Sequence, residues 1–382
     1  MDATTIKANK RALKAELKKD SKRDGKKVFN RIGVLTSGGD APGMNAALRA
    51  VTRAAKARGI EVVAIRSGYK GLLENDLSNY TSRDVSNIIN RSGTVIYTDR
   101  CDEFKELRGQ KKALKNCKLN EIDGIVAIGG DGTFRGALDL TRMGIPAIGI
   151  PATIDNDISA TDYSIGFDTA MNTVVEMVDR LRDTCESHAR CNVVEVMGRH
   201  AGYIALESGI AVGAIGIAVS ELSFNKAALL KKIKQCKRDG KRSFIVIASE
   251  GMNDIEPNFC EILAKDIQRV TGVETKFARL AHVQRGGSPT LRDRLMASKM
   301  GSAAVDLLVN GKSNLVVGYV NGEITSIDIN YALTYDRLVK GKMTNEEAAA
   351  MNPSVLKKMQ AAYEKKHKAM KELAKLADEI SR

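Results

Sequence analysis

The stretch "DGIVAIGGDGTFRGALDL", Asp123–Leu140, decides the fold class of this chain. It begins with a short apolar run, passes through a glycine-rich turn and continues as a helix-like segment. A strand, a tight turn and a helix in this order form the repeating unit of a parallel sheet. The turn holds one carboxylate, Asp131, among glycines whose backbone amides suit a phosphate. A carboxylate at that position needs either a structural role or a cation beside it.

Seven other apolar, β-branched runs repeat the pattern, and most are separated by segments long enough for a helix. They are "RIGVL", "IEVVAI", "IPAIGIP", "NVVEVMG", "IGIAVSE", "SFIVIASEG" and "NLVVGYV". The alternation predicts an α/β fold in which parallel-rich sheets are sandwiched by helices. The length of 382 residues suits two such domains.

Composition narrows the class of protein. Hydrophobic residues make up 43% and charged residues 28% of the chain, which is typical of a soluble globular protein. Neither a long apolar run nor a signal-peptide pattern occurs, so we expect no membrane partner. Six scattered cysteines without a C-x-x-C pair indicate reduced thiols and a cytoplasmic location. The net charge is +14, but few aromatic residues and no known motif argue against a nucleic-acid partner.

The two ends of the chain differ from its body. Residues 1–27 hold ten basic and four acidic side chains, which predicts a solvated, partly disordered basic extension. The last forty residues are rich in strong helix formers, and Pro353 after Asn352 signals a helix start. The apolar residues of this tail partly follow a helical stripe, so we expect it to dock on the body or on a partner chain. They are Leu356, Met359, Tyr363, Met370, Leu373 and Leu376.

Glycines and carboxylates follow five of the predicted strands, at the point where each strand ends. Besides the Asp131 turn, the segments are Thr36–Asp40, Pro151–Asp157, Met197–Arg199 and Glu250–Gly251. Parallel sheets bind their ligands beyond the carboxyl ends of the strands. The sequence therefore predicts a ligand site built from these five turns.

Three carboxylates in these turns point to phosphoryl transfer. Asp131 is interpreted either as a helix N-cap or as a ligand for Mg²⁺ beside a polyphosphate. Asp155 and Asp157 lie two residues apart, so in extended backbone they share one side. One of them would accept a proton from a substrate hydroxyl, while the other supports the metal or the first carboxylate. An Asx-turn with a cap is the structural alternative.

Phosphoryl transfer also needs cations, and several stand in glycine-rich or loop segments. The candidates for phosphate contacts are Arg100, Arg190, Arg199, His282 and Arg285. Cys101 is interpreted as a small residue packed near the nucleotide turn. It is not expected to be a nucleophile, because nothing nearby forms a Cys–His arrangement.

Taken together, the motifs resemble the 6-phosphofructokinase family, in the right order over roughly residues 29 to 335. The matching segments are "GVLTSGGDAPGMNAALRA", "IGGDGTFRGA", "PATIDNDI", "GFDTAMNTVVEMVDRLRDT", "VEVMGRHAGYIAL" and "HVQRGGSPTLRDRLMASKMG". The resemblance implies a glycolytic kinase that uses ATP, fructose 6-phosphate and Mg²⁺. It also implies an allosteric homotetramer whose active sites lie at a subunit interface. Lipid and NAD kinases share the "GGDGT" turn, but they do not explain "TIDND", "MGR" and "HVQRGGSP".

The resemblance implies four parts of the chain. A basic extension covers 1–28, and a helical extension covers 335–382. Residues 29–166 together with 282–334 would form a nucleotide-binding domain. Residues 167–281 would form a sugar-phosphate-binding domain.

Roles of single residues follow from the same resemblance. Asp155 resembles the base for the sugar 1-hydroxyl, with Thr153, Asp157 and Arg199 beside it as catalytic residues, and Asp131 resembles the Mg²⁺ ligand. The implied nucleotide contacts are Gly39, Tyr69, Arg100, Cys101, Gly130, Asp131, Gly132, Thr133 and Gly136. The implied sugar-phosphate contacts are Thr153, Asp155, Arg190, Met197, Gly198, Arg199, Glu250, Lys276, His282 and Arg285.

Departures from the family pattern give sharper expectations. Arg190 would reach into a neighbouring subunit, and Lys276 replaces its arginine partner, so we expect a weaker grip on the 6-phosphate. Pyrophosphate-using relatives usually carry Asp at the position of Gly132 and Lys at that of Ala152. Gly132 therefore favours ATP, and pyrophosphate remains the alternative donor.

The family's effector pocket is only partly retained in this sequence. Matching basic positions are Arg49, Arg53, Arg182 and Lys241, whereas Ser82, Ile215 and Asp239 replace a basic, an acidic and a basic residue. Ile215 removes the acid that helps to bind the effector's metal. We therefore expect weak or absent activation by ADP.

Overall fold

A computed structural model describes residues 29–381, so the basic extension predicted for 1–28 lies outside the described residues. The strands are β1 (Arg31–Ser37), β2 (Glu61–Ile65), β3 (Leu77–Tyr80), β4 (Gly124–Gly129), β5 (Ala147–Pro151), β6 (Cys191–Val196), β7 (Gly216–Ala218), β8 (Phe244–Ser249), β9 (Thr275–Arg279), β10 (Leu315–Val320) and β11 (Glu323–Asp328). The α-helices are α1 (Met44–Ala57), α2 (Gly68–Glu74), α3 (Leu107–Leu119), α4 (Asp131–Arg142), α5 (Phe167–His188), α6 (Tyr203–Ala211), α7 (Lys226–Arg238), α8 (Phe259–Thr271), α9 (Leu291–Val309), α10 (Ile329–Val339), α11 (Asn345–Ala350) and α12 (Pro353–Ile380).

The larger sheet has seven strands in the order β11-β10-β5-β4-β1-β2-β3. Its inner pairs are parallel, and each edge strand pairs antiparallel with its neighbour. In the register of the sheet, Ser37 lies opposite Gly129, which in turn lies opposite Pro151. The turns after β1, β4 and β5 therefore leave the same edge of the sheet side by side.

The smaller sheet has four parallel strands in the order β7-β8-β6-β9. Val196 lies opposite Ser249, so the Met197 turn emerges beside Glu250. Parallel-rich sheets flanked by helices confirm the predicted α/β class. The strands of the larger sheet fall within 29–166 and 282–334, and those of the smaller sheet within 167–281. The domain boundaries themselves stay predictions.

Eight of the strands coincide with the apolar runs of the sequence, while β3, β9 and β11 were not predicted. The central strands β4 and β8 are buried along their whole length, which is why they read as continuous apolar runs. The three missed strands lie at the sheet edges and are mostly half-exposed, so they carry polar residues and no clear pattern.

No helix within residues 29–381 is both long and apolar enough to cross a membrane.

The long C-terminal helix α12 docks on the body, as its apolar stripe predicted. The Asn352 side chain accepts a hydrogen bond from the Ser354 amide, which caps the helix where Pro353 begins it. Met359 and Met370 are buried, and α12 packs against α6, α10 and β7. The stripe was only partly right, because Tyr363 and Leu376 are exposed.

Candidate active site

The glycine turns after β1 and β4 are joined by direct hydrogen bonds. The Thr133 hydroxyl donates to the carbonyl of Ser37 at 2.9 Å, and the Tyr69 hydroxyl donates to the carbonyl of Thr133 at 2.6 Å. Tyr69 is buried beneath the turn, and a Cβ at Gly136 would come within 2.4 Å of its ring. Tyr69 and Gly136 therefore support the turn from below. Their contact with a nucleotide stays a prediction.

The space above this turn is open. A Cβ at Gly130 or Gly132 would meet no described atom within 4 Å, so protein packing does not require glycine at either position. Missing side chains at such positions leave room for a ligand to approach the backbone amides at the start of α4. This is the arrangement expected of a phosphate-binding turn.

Asp131 is the first residue of α4, and Gly130 is the N-cap, so the N-cap interpretation of Asp131 is wrong. Its Oδ1 accepts from the Gly132 amide at 2.7 Å, and its Oδ2 lies 3.2 Å from the Arg135 guanidinium. Within residues 29–381, no three His, Cys, Asp or Glu side chains are placed so that they could hold a metal ion together. One accessible carboxylate beside an open phosphate turn fits Mg²⁺, which commonly takes one or two carboxylates together with substrate phosphates.

Asp155 is the most deeply buried carboxylate of the site, with 1% of its surface exposed. Its Oδ2 lies 3.4 Å from Nε of Arg199, and its Oδ1 has no hydrogen-bond partner among the described residues. Burial and the nearby charge of Asp157 raise its pKa to about 6, although Arg199 and Arg285 act in the opposite direction. The two carboxylates after β5 interact electrostatically, but the chain turns at residues 154–155 and Asn156 has a φ of 49°, so the extended backbone assumed for a shared side is absent.

Asp157 forms an ion pair that the sequence did not reveal. Its Oδ2 lies 2.8 Å from Nζ of Lys340, which directly follows α10. Burial acts to lower the pKa of this lysine, but the charges of Asp157, Asp336 and Asp131 outweigh it and raise the pKa. Lys340 is therefore a positive charge paired with one predicted catalytic carboxylate, Asp157, and it also interacts with the predicted metal ligand Asp131. No local signal marks it, because it is 183 residues from Asp157 in the chain.

Glu250 holds the turn after β6. Its Oε1 accepts from the backbone amides of Gly198 at 3.1 Å and Arg199 at 2.7 Å. Arg199 has a φ of 53°, a left-handed conformation that costs energy for a residue with a side chain. The paired amide bonds stabilise this conformation and point the guanidinium at Asp155. Met197 is tied in from the other side, because its amide donates to the Gln284 side chain at 3.3 Å.

The segment around Arg285 connects the two sheets. Nη1 of Arg285 donates to the carbonyl of Asp40 at 3.0 Å and lies against Gly39. The neighbouring His282 is exposed. Thr153 is buried, and its hydroxyl accepts from the Asp155 amide at 3.3 Å. These contacts gather the predicted sugar-phosphate and nucleotide residues around one cleft.

Arg100 and Cys101 lie at the rim of the nucleotide turn. Arg100 is exposed, and its backbone amide donates to the Asp99 carboxylate at 2.8 Å. Asp99 is also paired with Lys70. Burial raises the pKa of the Cys101 thiol, which fits its interpretation as a packing residue, because only the thiolate is a strong nucleophile.

Arg190 and Lys276 lie elsewhere in the chain. Arg190 directly precedes β6, whereas the Met197 turn follows it, and six residues of strand separate the two ends by about 20 Å. Both cations pair with Glu274, at 2.8 Å for Arg190 and 3.0 Å for Lys276. Hydrogen bonds from these two cations lower the pKa of Glu274 to about 2. Within one chain, these two residues do not join the cleft.

The residues of the predicted effector pocket are divided between two surfaces. Arg53 and Ser82 line a basic depression of 490 Å³ with Lys56 and Arg83. In contrast, Ile215, Asp239 and Lys241 line a cavity of 1170 Å³ beside α7. Arg182 donates to the carbonyl of Val212. Ile215 is buried, and its aliphatic side chain offers no polar group to a ligand.

Residues 31–308 match the phosphofructokinase family. The chain belongs to this family. A relative from Halothermothrix orenii, an ATP-dependent 6-phosphofructokinase, is 48% identical over 82% of this chain and 96% of its own length. A relative of the same name from Clostridium botulinum is 50% identical over 80% of this chain and 94% of its own length. The family resemblance drawn from the motifs is confirmed.

Solved phosphofructokinase structures have the same fold. The Saccharomyces cerevisiae enzyme superposes with a TM-score of 0.77 at 33% identity, over 83% of this chain and 47% of its own. The T-state structure from Pichia pastoris gives a TM-score of 0.78 at 32% identity, over 92% of this chain and 40% of its own. This phosphofructokinase chain thus spans about half the length of the yeast chains, but nearly all of the bacterial relatives.

Proposed function

We propose that this phosphofructokinase transfers the γ-phosphate of ATP to the 1-hydroxyl of fructose 6-phosphate, as a glycolytic ATP-dependent 6-phosphofructokinase. The observation that carries the proposal is Asp155. It is a buried carboxylate with a pKa raised to about 6, paired with Arg199 where the strand-end turns meet. Such a group is a functional-site candidate, because burying a carboxylate at this depth without a role is costly.

Asp155 is suited to accept the proton of the attacking hydroxyl. With a pKa of about 6 it is mostly ionised at neutral pH, yet it is more basic than an ordinary aspartate. Its Oδ1 is buried and has no partner among residues 29–381, so a substrate hydroxyl that reaches it supplies the missing hydrogen bond. Arg199 favours the charged carboxylate, Thr153 orders its backbone, and burial together with the charge of Asp157 raises its pKa.

ATP would occupy the open turn above α4, with its phosphates against the amide of Gly130 and beside Gly132. Asp131 would hold Mg²⁺ with the donor phosphates, and the bound ion neutralises charge on the transferring group. The lack of a side chain at Gly132 leaves space for the α-phosphate, which favours ATP over pyrophosphate.

Fructose 6-phosphate would lie beyond the Met197 turn, near Glu250, His282 and Arg285. Arg190 and Lys276 would bind its 6-phosphate from a neighbouring copy, because within one chain they lie at the far end of β6. This supports a homotetramer with shared active sites.

Six cysteines without disulfides support a cytoplasmic location.

The donor assay tests the proposal most directly. Purified protein is supplied with fructose 6-phosphate, Mg²⁺ and either ATP or pyrophosphate, and fructose 1,6-bisphosphate is measured. We expect turnover with ATP and at most traces with pyrophosphate. Turnover with pyrophosphate alone would establish the alternative, and no turnover with either donor would reject the family's reaction for this chain.

Regulation by ADP is a further expectation of the proposal. Ile215 supplies no carboxylate for a metal at the effector site, and Asp239 there adds a repelling charge. We expect saturating ADP to change the half-saturation constant for fructose 6-phosphate by less than about twofold, below the weakest typical allosteric coupling. Velocity curves with and without ADP measure this, and a strong leftward shift would contradict it.

A further inference from the structure

A second pocket lies behind the catalytic loop. Its volume is 350 Å³, and it is enclosed by α6, α10, α12 and the loop at residues 156–159. Of all the residues predicted to act on substrates, only Asp157 lines it. The pocket is thus a neighbour of the active site that the proposed reaction does not use. Its volume is within the range of pockets that hold small organic ligands.

The charged side chains that line this pocket include one more lysine than carboxylates. Lys340, Lys342 and Lys366 line it, against the two carboxylates of Asp157 and Glu221. Lys340 is committed to Asp157, and Lys366 donates to the backbone carbonyls of Ser159 and Thr161 at 2.8 and 2.9 Å. The Lys342 ammonium makes no ion pair within the described part of the chain. It is available to an anion.

A buried hydroxyl in the wall of the pocket also lacks a partner. Tyr335 is 3% exposed, yet its hydroxyl forms no hydrogen bond with any residue between 29 and 381. A buried polar group without a partner is destabilising, so a ligand that supplies the partner gains in affinity. The rest of the lining mixes apolar and aromatic side chains, among them Tyr203, Tyr363 and Met370, with polar ones that include His200 and His367.

We propose that this pocket binds a small organic anion, with a phosphate or carboxylate head and an apolar body. Lys342 attracts the head, the Tyr335 hydroxyl supplies a hydrogen bond, and the tyrosine and methionine side chains pack against the body. An inorganic anion leaves the apolar lining uncovered, and a neutral apolar molecule leaves the ammonium unpaired. Both are therefore weaker ligands than a molecule that combines the two parts.

Isothermal titration calorimetry on the full chain tests the site without relying on turnover. Phenyl phosphate and benzoate carry the two head groups on the same body, while inorganic phosphate and phenol each supply one part alone. We expect saturable binding of phenyl phosphate or benzoate, at least about tenfold tighter than that of inorganic phosphate or phenol, because each part alone forfeits one favourable contact. The member of the first pair that binds more tightly identifies the head group.

Three variants locate the binding. We expect Lys342→Gln to weaken it about tenfold and Tyr335→Phe about fivefold, as losing one charged or one neutral hydrogen bond implies. The matched control Lys358→Gln lies on the exposed face of α12 and should leave the affinity unchanged. Equal affinity in all three variants would place the ligand elsewhere, and the absence of saturable binding would remove the site. Either result overturns the proposal, and neither depends on the kinase reaction.

Discussion

The two ends of strand β6 differ in the predicted site residues that surround them. At its carboxyl end, the Met197 turn meets Asp155, Asp157 and Arg285, and one chain supplies every group. At its amino end, Arg190 and Lys276 face a single carboxylate, Glu274, and no predicted substrate residue lies beside them. The first end gathers its predicted groups within one chain, whereas the two cations of the second end pair only with Glu274 of the same chain.

This difference follows from the direction of parallel strands. All strands of a parallel sheet place their carboxyl ends at one edge, so the turns that follow them must share a site. A cation before a strand is at the other edge and cannot join them in the same chain. We propose that a neighbouring subunit supplies these cations as its partner's second phosphate-binding group.

The largest effect is expected at the complete end. Asp155→Asn removes the proton acceptor but keeps the size of the side chain, so kcat should fall by about 10² to 10⁴ with little change in KM. Steady-state kinetics with ATP measure it. The matched control Asp179→Asn, an exposed carboxylate on α5, should keep kcat within about twofold. A near-normal kcat for Asp155→Asn would remove the proposed base.

The amino end should respond differently. Arg190→Gln loses one charged contact with the 6-phosphate, so we expect KM for fructose 6-phosphate to rise about 10- to 100-fold. Mixing subunits sharpens the test. If Arg190 acts across an interface, re-associating Arg190→Gln with Asp155→Asn subunits should restore about a quarter of the sites in a random mixture. Failure to recover activity in verified mixed oligomers would place Arg190 in its own chain's site.

Much of the complete end could be predicted from sequence, because its groups stand next to strand ends. Gly130, Asp131 and Asp155 each follow an apolar run directly, and the parallel fold then requires them to be neighbours. The predicted N-cap of α4 was misplaced by one residue, because the cap is Gly130 and Asp131 is the first residue of the helix. A shift of that size depends on backbone dihedrals, which the residue types alone do not specify.

Groups brought in by tertiary packing could not be predicted. Lys340 and Lys366 come from the C-terminal extension, and they reach the catalytic loop only because α10 and α12 fold back over it. The ion pair of Glu274 with Arg190 likewise depends on the pairing of β6 with β9, which the sequence did not predict. Lysines and glutamates in amphipathic segments usually face solvent, so their composition carries no signal for such contacts.

A smaller effect is expected from Lys340 and concerns the pH profile. The active form of Asp155 is the carboxylate, so kcat/KM should fall as the pH drops through about 6. Lys340→Gln leaves the charge of Asp157 uncompensated, which disfavours ionised Asp155 and moves the acidic limb upward by about half to one pH unit. Asp157→Asn removes that charge and should move the limb downward. The exposed Lys358→Gln serves as control, and an unmoved limb in both active-site variants would deny the coupling.

The smallest effect should come from Lys276, at the amino end. Lysine keeps the charge of the family's arginine but lacks the planar fork that binds phosphate with two hydrogen bonds, and its exposed ammonium is shared with Glu274. We expect Lys276→Arg to lower KM for fructose 6-phosphate about two- to fivefold at unchanged kcat, because one additional hydrogen bond is worth that much. Lys265→Arg on the exposed face of α8 should change neither constant. Because the arginine would act in a neighbour's site, the gain should vanish when the oligomer is dissociated, and a gain that persists in monomers would contradict the division between the two ends of β6.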